Sequence, residues 1–257
     1  AAPAAPALPA AVATVPPLVK DDALPFKPTQ RPPIALLCIL DDGSEDDGEW
    51  LRLRADQFVI GRTEGEIIIP HDGRISKRHA SLTRQKAEEK YRWYLTDLQS
   101  SNGTYVQVAD APLKSGREFL VGGTRLRFDA PKVDLEGSTL NAPSGGATQG
   151  WQGPSLLAVL PSIVFLNADN TDGRAVPITG VEAWVGRDRG CTIAVPDDPF
   201  LSAKHCRVFK DAGGQWHLKN NDSANGVWLR IDQPLPIKKG SCHFLLGEQR
   251  FLLRVLS

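Results

Sequence analysis

Residues 97–104 read Asp-Leu-Gln-Ser-Ser-Asn-Gly-Thr, and two shorter blocks stand upstream of them, Gly61-Arg62 and Ser76-Lys77-Arg78-His79. All three recur in the same order as Gly186-Arg187, Ser202-Ala203-Lys204-His205, and Asn220 through Ser223-Ala224-Asn225-Gly226. The offset is 125 residues at the arginine, 126 at the serine and histidine, and 123 at the Asn-Gly pair. Three separated anchors at a near-constant offset mark an internal repeat, hence two related domains in tandem. The anchors are Arg, Ser and Asn on expected loops, a chemistry suited to holding an anion rather than to breaking bonds.

The segments between the blocks have strand character. Ile34–Leu40, Phe58–Ile60, Ala80–Arg84, Arg92–Leu98, Thr104–Val108 and Thr124–Phe128 are short apolar or alternating runs, separated by Asp-Gly, Asn-Gly and Gly-Gly punctuation. The second half repeats this with Ser162–Leu166, Ala183–Gly186, His205–Lys210, Gln215–Lys219, Val227–Ile231, Cys242–Leu246 and Arg250–Leu256. Many short strands with frequent turns and no long amphipathic helix predict an all-β chain of two β-sandwiches. Asn102-Gly103 reads as a type I′ hairpin turn. The expected organisation is an Ala/Pro-rich disordered linker at residues 1–33, a first domain at 34–130, a flexible Gly/Ser/Pro/Asn-rich linker at 131–158 and a second domain at 159–257.

Composition narrows the function. Thirty basic residues balance thirty acidic ones, so no global field recruits nucleic acid or a membrane, and any anion site must be local. The basic concentration at Arg74, Lys77, Arg78 and Arg84 lies beside the blocks. No apolar run is long enough to span a bilayer. Cys38, Cys191, Cys206 and Cys242 form no CxxC pair and sit largely in strand-like runs, which suits reduced thiols in a cytoplasmic protein. The five histidines have no metal-ligand spacing, and phosphate-loop, zincin and nucleophile-elbow motifs are missing, so neither cofactor, metal nor catalysis is expected. The chain has no methionine, even at position 1, which suggests a piece of something longer.

The three blocks, in order and twice over on an all-β domain of this size, resemble the forkhead-associated (FHA) domain. The resemblance implies a sandwich of two antiparallel sheets whose loops at one end bind a phosphothreonine peptide, with no catalytic activity. A phosphothreonine carries about −1.5 to −2 charges and three acceptor oxygens. Arg62 would supply a charge-assisted fork, Ser76 a short hydroxyl donor and Lys77 a second cation. By the family pattern Asn102 bonds the ligand main chain and Ser101 contacts the phosphate region. Arg187, Ser202 and Asn225 are the second-copy counterparts, but Ala203, Ala224 and Val227 replace Lys77, Ser101 and Thr104 there. Gly61, His79, Gly103, Thr104, Gly186, His205 and Gly226 take structural roles, the histidines bracing the loops.

The expected function is phosphothreonine-peptide recognition by an adaptor or regulatory region, with the first copy as the main site. Its partners would be threonine-phosphorylated proteins and the Ser/Thr kinases that make them, not nucleic acid or membrane. The competing expectations are a phosphate-independent assembly or dimerisation module, or the regulatory part of a larger enzyme or transporter.

Overall fold

The computed structural model describes residues 35–41, 44–87, 90–131 and 160–255. The linker assigned at 1–33 and nearly all of that at 131–158 lie outside the described residues. The first repeat supplies β1 (Ala35–Leu40), β2 (Glu49–Leu53), β3 (Gln57–Gly61), β4 (Ile67–Ile68), β5 (Ala80–Ala87), β6 (Lys90–Asp97), β7 (Thr104–Val108), β8 (Asp110–Leu113), β9 (Arg117–Val121) and β10 (Thr124–Asp129). The second supplies β11 (Ser162–Leu166), β12 (Asp172–Pro177), β13 (Glu182–Gly186), β14 (Ile193–Ala194), β15 (Cys206–Lys210), β16 (Trp216–Asn220), β17 (Val227–Arg230), β18 (Leu235–Ile237), β19 (Gly240–Leu246) and β20 (Gln249–Val255). No helix occurs among the described residues, so the all-β expectation holds.

Alternation makes these strands. In β10, Leu126 and Phe128 point inward while Arg125 and Arg127 alternate with them on the opposite face. The strands form one ten-stranded sheet, β12-β11-β10-β9-β17-β7-β19-β20-β1-β2, and two five-stranded sheets, β14-β13-β15-β16-β8 and β18-β6-β5-β3-β4. Each five-stranded sheet covers half of the large one, giving two cores. One contains Leu37, Ile60 and Trp93 with Phe244 and Phe251. The other contains Phe119 and Phe128 with Ile163, Val185 and Leu218.

The cores do not divide where the repeats do. β20 pairs with β1, placing Leu252 opposite Cys38, and β18 pairs with β6, placing Ile237 opposite Trp93. Reciprocally, β10 pairs with β11, placing Phe128 opposite Ile163, and β8 pairs with β16, placing Leu113 opposite Trp216. Residues 34–130 and 159–257 therefore do not each close a core of their own. The last three strands of each repeat complete the sandwich begun by the other, an exchange within one chain. The physical reason lies in the equivalent strands β7 and β17, which pair antiparallel with Val227 opposite Val108 and Arg230 opposite Tyr105. Each then delivers the following chain into the opposite sandwich.

A shared core predicts shared unfolding. Phe119→Ala and Phe251→Ala are each expected to cost about 3–5 kcal/mol, and calorimetry of the intact chain should show a single transition that both variants move. Two resolved transitions, each moved by one variant only, would contradict the exchange.

Candidate functional site

β3 ends at Gly61, where the chain turns against the loop that precedes β5. The Arg62 N–H donates to the Ser76 carbonyl at 2.9 Å and the Glu64 N–H to the Lys77 carbonyl at 3.0 Å. A Cβ on Gly61 would lie 2.0 Å from the Lys77 carbonyl oxygen, which explains the glycine by close approach. The second copy repeats this: Arg187 donates to Ser202 and Asp188 to Ala203, both at 3.0 Å, and a Cβ on Gly186 would meet the Ala203 oxygen at 2.1 Å.

His79 ties that loop to the Asn-Gly turn. Its ring is fully buried. Nδ1 accepts the Ser76 N–H at 3.1 Å, so the ring proton sits on Nε2, which donates to the Gly103 carbonyl at 3.1 Å. His205 does the same between Ser202 and Gly226, at 3.1 and 2.8 Å. Burial lowers both imidazole pKa values below the ordinary range, against the opposing pull of the Gly103 and Gly226 carbonyls and of nearby carboxylates.

The block from Asp97 to Thr104 is a closed network. Asp97 Oδ1 accepts from the Ser100 hydroxyl at 2.6 Å and the Thr104 hydroxyl at 2.7 Å, and Oδ2 accepts the Ser100 N–H at 3.0 Å. Ser100 Oγ in turn accepts the Gly103 N–H at 3.0 Å. In the second copy Asn220 stands for Asp97 and Val227 for Thr104, so a charge and the donor facing it are lost together, while Ser223 still donates to Asn220 at 2.6 Å. The turn is not the expected type I′ hairpin. Gly103 has a φ of +80°, but Asn102 is not left-handed, and β6 and β7 belong to different sheets. The Asn-Gly pair carries the chain from one sheet to the other.

The loops so held bring the first-copy candidates to one end of the sandwich. Ser76 Oγ accepts the Ser101 N–H at 3.0 Å, and Asn102 Nδ2 donates to the Arg74 carbonyl at 2.7 Å. Arg62 is half-buried and Lys77 exposed. Among the described residues no carboxylate forms an ion pair with Arg62, Lys77 or Arg187. In the second copy Ser202 Oγ accepts the Ala224 N–H at 3.3 Å and Asn225 Nδ2 donates to the Phe200 carbonyl at 2.9 Å. There Arg250 Nη2 also donates to Asn225 Oδ1 at 3.2 Å. The Lys204 ammonium sits 5.4 Å from the centre of the Trp184 ring. Phe200, 60% exposed, stands where the first copy has Arg74.

Sequence reasoning missed Asp72 and Asp198. Asp72 accepts the Arg74 N–H at 2.8 Å and the Glu248 N–H at 2.6 Å. Asp198 accepts the Phe200 N–H at 2.9 Å, the Gly123 N–H at 2.8 Å and the Thr124 hydroxyl at 2.7 Å. The available signal was their spacing of 126 residues, the same as that of the serines. No metal-holding cluster exists among the described residues. Two cavities, of about 490 and 530 Å³, line the β8–β9 connection and the β18–β19 connection and include none of the candidate side chains.

A β-sandwich whose loop end presents hydrogen-bond donors on a fixed frame has the architecture of a recognition module. The FHA domain model matches residues 58–122 and again 183–243, and the chain carries two FHA domains. Over 67 residues the chain is 39% identical to the E3 ubiquitin-protein ligase RNF8 of Bos taurus, a match covering 25% of this chain and 14% of that relative. Among solved structures it is similar to Mycobacterium tuberculosis EmbR in complex with a low-affinity phosphopeptide, at 18% identity and a TM-score of 0.20, covering 36% of this chain and 27% of that one.

Two outcomes test the frame. Gly61→Ala should cost roughly 2–4 kcal/mol in denaturant unfolding, because the obstacle is backbone. Stability should also fall with acid. His79, His205 and His243 all have pKa values lowered chiefly by burial, so below about pH 6.5 the unfolded chain takes up protons that the folded chain refuses. Their contribution is complete above that pH and declines as pH falls toward the lowered values. Urea midpoints at pH 7.5 and 5.5 measure the decline, and His79→Gln should reduce it.

Proposed function

We propose that the chain recognises threonine-phosphorylated peptides, as an adaptor or as the regulatory region of a larger protein, with the first repeat as the main site. The observation that carries this reading is the Arg62 guanidinium. It projects from a turn whose backbone is tied to the Ser76 loop. Its Nε is shielded from solvent and has no acceptor. A buried unsatisfied donor costs on the order of 1–3 kcal/mol, a cost that an anion placed against the guanidinium would offset. The Ser76 hydroxyl accepts from Ser101 and keeps its own proton to donate. Lys77 adds a solvated cation, and Asn102, held through its Nδ2, can offer Oδ1 to a ligand N–H. Ser101 contributes a hydroxyl at the rim. This makes a local positive patch on a neutral chain, which suits a cytoplasmic partner phosphorylated by a Ser/Thr kinase.

The second repeat favours a weaker or different ligand. Ala203 and Ala224 remove two donors, Arg250 engages Asn225 Oδ1, and exposed Phe200 offers an apolar contact. Arg187, Ser202 and Asn225 remain as the residues for phosphate there. These features also suit phosphate-independent docking through that repeat, which equal affinity for phosphorylated and unphosphorylated partner would reveal.

Arg62→Ala should weaken phosphothreonine-peptide binding by at least about 2 kcal/mol, roughly 30-fold, measured by calorimetric titration. Ser76→Ala should cost less, and Arg187→Ala least. Binding should also weaken as pH drops through about 6, where the phosphate dianion is lost. Undiminished binding by Arg62→Ala would overturn the assignment.

A further inference from the structure

The same relay of hydrogen bonds runs into each site from the last hairpin of the opposite repeat. For the first site, the Glu248 N–H donates to Asp72 Oδ2, Asp72 Oδ1 accepts the Arg74 N–H, and the Arg74 carbonyl accepts Asn102 Nδ2. For the second, the Gly123 N–H and Thr124 hydroxyl donate to Asp198 Oδ2, Asp198 Oδ1 accepts the Phe200 N–H, and the Phe200 carbonyl accepts Asn225 Nδ2. Glu248 belongs to the second repeat and serves the first site. Gly123 and Thr124 belong to the first repeat and serve the second. The hairpins approach so closely that a left-handed glycine is required in each. Gly247, at φ +59°, would place a Cβ 2.4 Å from Asp72 Oδ2, and Gly122, at φ +58°, would place one 2.8 Å from Asp198 Oδ2.

Resting on the phosphopeptide reading above, we propose that each recognition site is a composite of both repeats, with Asp72 and Asp198 as positioning residues that couple the ligand-facing asparagine of one repeat to the terminal hairpin of the other.

Side-chain matching fixes this arrangement against its alternative, in which each repeat closes on itself. Arg127 on β10 bonds Asp172 on β12 through both Nη atoms, at 2.6 and 2.8 Å. The equivalent position on β20 is Leu252, buried against Cys38 and Leu40. If β10 lay beside β1, Arg127 would be driven into that apolar cluster, and Asp172 would face a leucine. Likewise Arg254 on β20 pairs with Glu45 at 2.9 Å, whereas Asp129, its counterpart on β10, would set like charges together. Charge and apolarity are therefore placed so that the last strands belong where the exchange puts them.

The test uses the full chain with Arg187→Ala, so that only the first site reads phosphothreonine peptide. Gly247→Ala, a change in the second repeat, is expected to weaken binding at the first site about tenfold or more, and Gly122→Ala, a change in the first repeat, to leave it within about twofold. The opposite pattern, or equal effects, would overturn the composite site. Amide hydrogen exchange on the same variants reads the relay without any ligand: Gly247→Ala should loosen residues 72–79 and 99–103, and Gly122→Ala residues 198–205 and 222–226. Should Gly122→Ala unfold, Thr124→Val removes one hydroxyl from the second relay and is expected to loosen only the second set. Peptide binding that is absent even in the parent chain, with hydrogen exchange as expected, would overturn the phosphopeptide reading and uphold the relay. Exchange that loosens within the mutated repeat would overturn the relay whatever the peptide result.

Discussion

The position of β7 governs the rest of the molecule. One edge of Thr104–Val108 pairs with β17, its own counterpart in the other repeat, and the other edge pairs with β19. A strand has two edges, so once both are taken the first repeat has no place beside β7 for its own last hairpin. β9 and β10 must join the sheet beyond β17, and β19 and β20 fill the place vacated beside β1. From this follow the ten-stranded sheet, the two mixed cores and the delivery of each terminal hairpin to the loop end of the opposite sandwich. The pairing is intramolecular, so its loop-closure cost grows only slowly with the length of the connection.

On that frame the loop end is held chiefly by backbone contacts. Gly61 allows the Arg62 turn to lie against the Lys77 carbonyl, and the His79 ring spans the gap between the Ser76 loop and the Asn-Gly turn. The imidazole must be neutral to accept at Nδ1 while donating at Nε2, and burial keeps it so. Ser76, Ser101 and Asn102 are thereby held by hydrogen bonds within the protein, and under the proposed function such preorganisation would reduce the ordering cost of binding. Exposed ion pairs such as Arg74–Glu248 add little to this, being solvated on both sides.

What the sequence made legible was local. Alternation in segments such as Thr124–Phe128 revealed strands, and the spacing of the three blocks revealed the duplication and the loop end. The strand exchange was not legible because the hydrophobic pattern of β9–β10 matches that of β19–β20: Phe119 and Leu126 face one core as Phe244 and Phe251 face the other. Either pairing buries the same faces, and only outward residues such as Arg127 and Leu252 distinguish them, through partners more than forty positions away. The Asn102-Gly103 pair misled for a related reason. Its composition suits a hairpin, but its neighbours β6 and β7 lie in separate sheets, a tertiary fact that outweighs the local preference. Asp72 went unnoticed because its partner, the Glu248 N–H, is a backbone group 176 residues away.

Comparing the two copies separates frame from function. Gly61, Ser76, His79, Ser100, Asn102 and Gly103 are all kept in the second copy, and each has a contact within the protein that accounts for it. Lys77 and Ser101 differ between the copies, and neither side chain has a hydrogen-bond partner among the described residues. The paired motif is therefore first of all a record of how the loops are held, and its recurrence alone does not imply two equal sites. Arg62 and Arg187 break this correlation. Both are retained, yet in neither copy does the guanidinium bond another described residue, and in the first its Nε is shielded without an acceptor. The frame gives no reason for an arginine at that position, whereas an anion does, which is why the functional reading rests on this side chain rather than on the more conspicuous Asn-Gly turn.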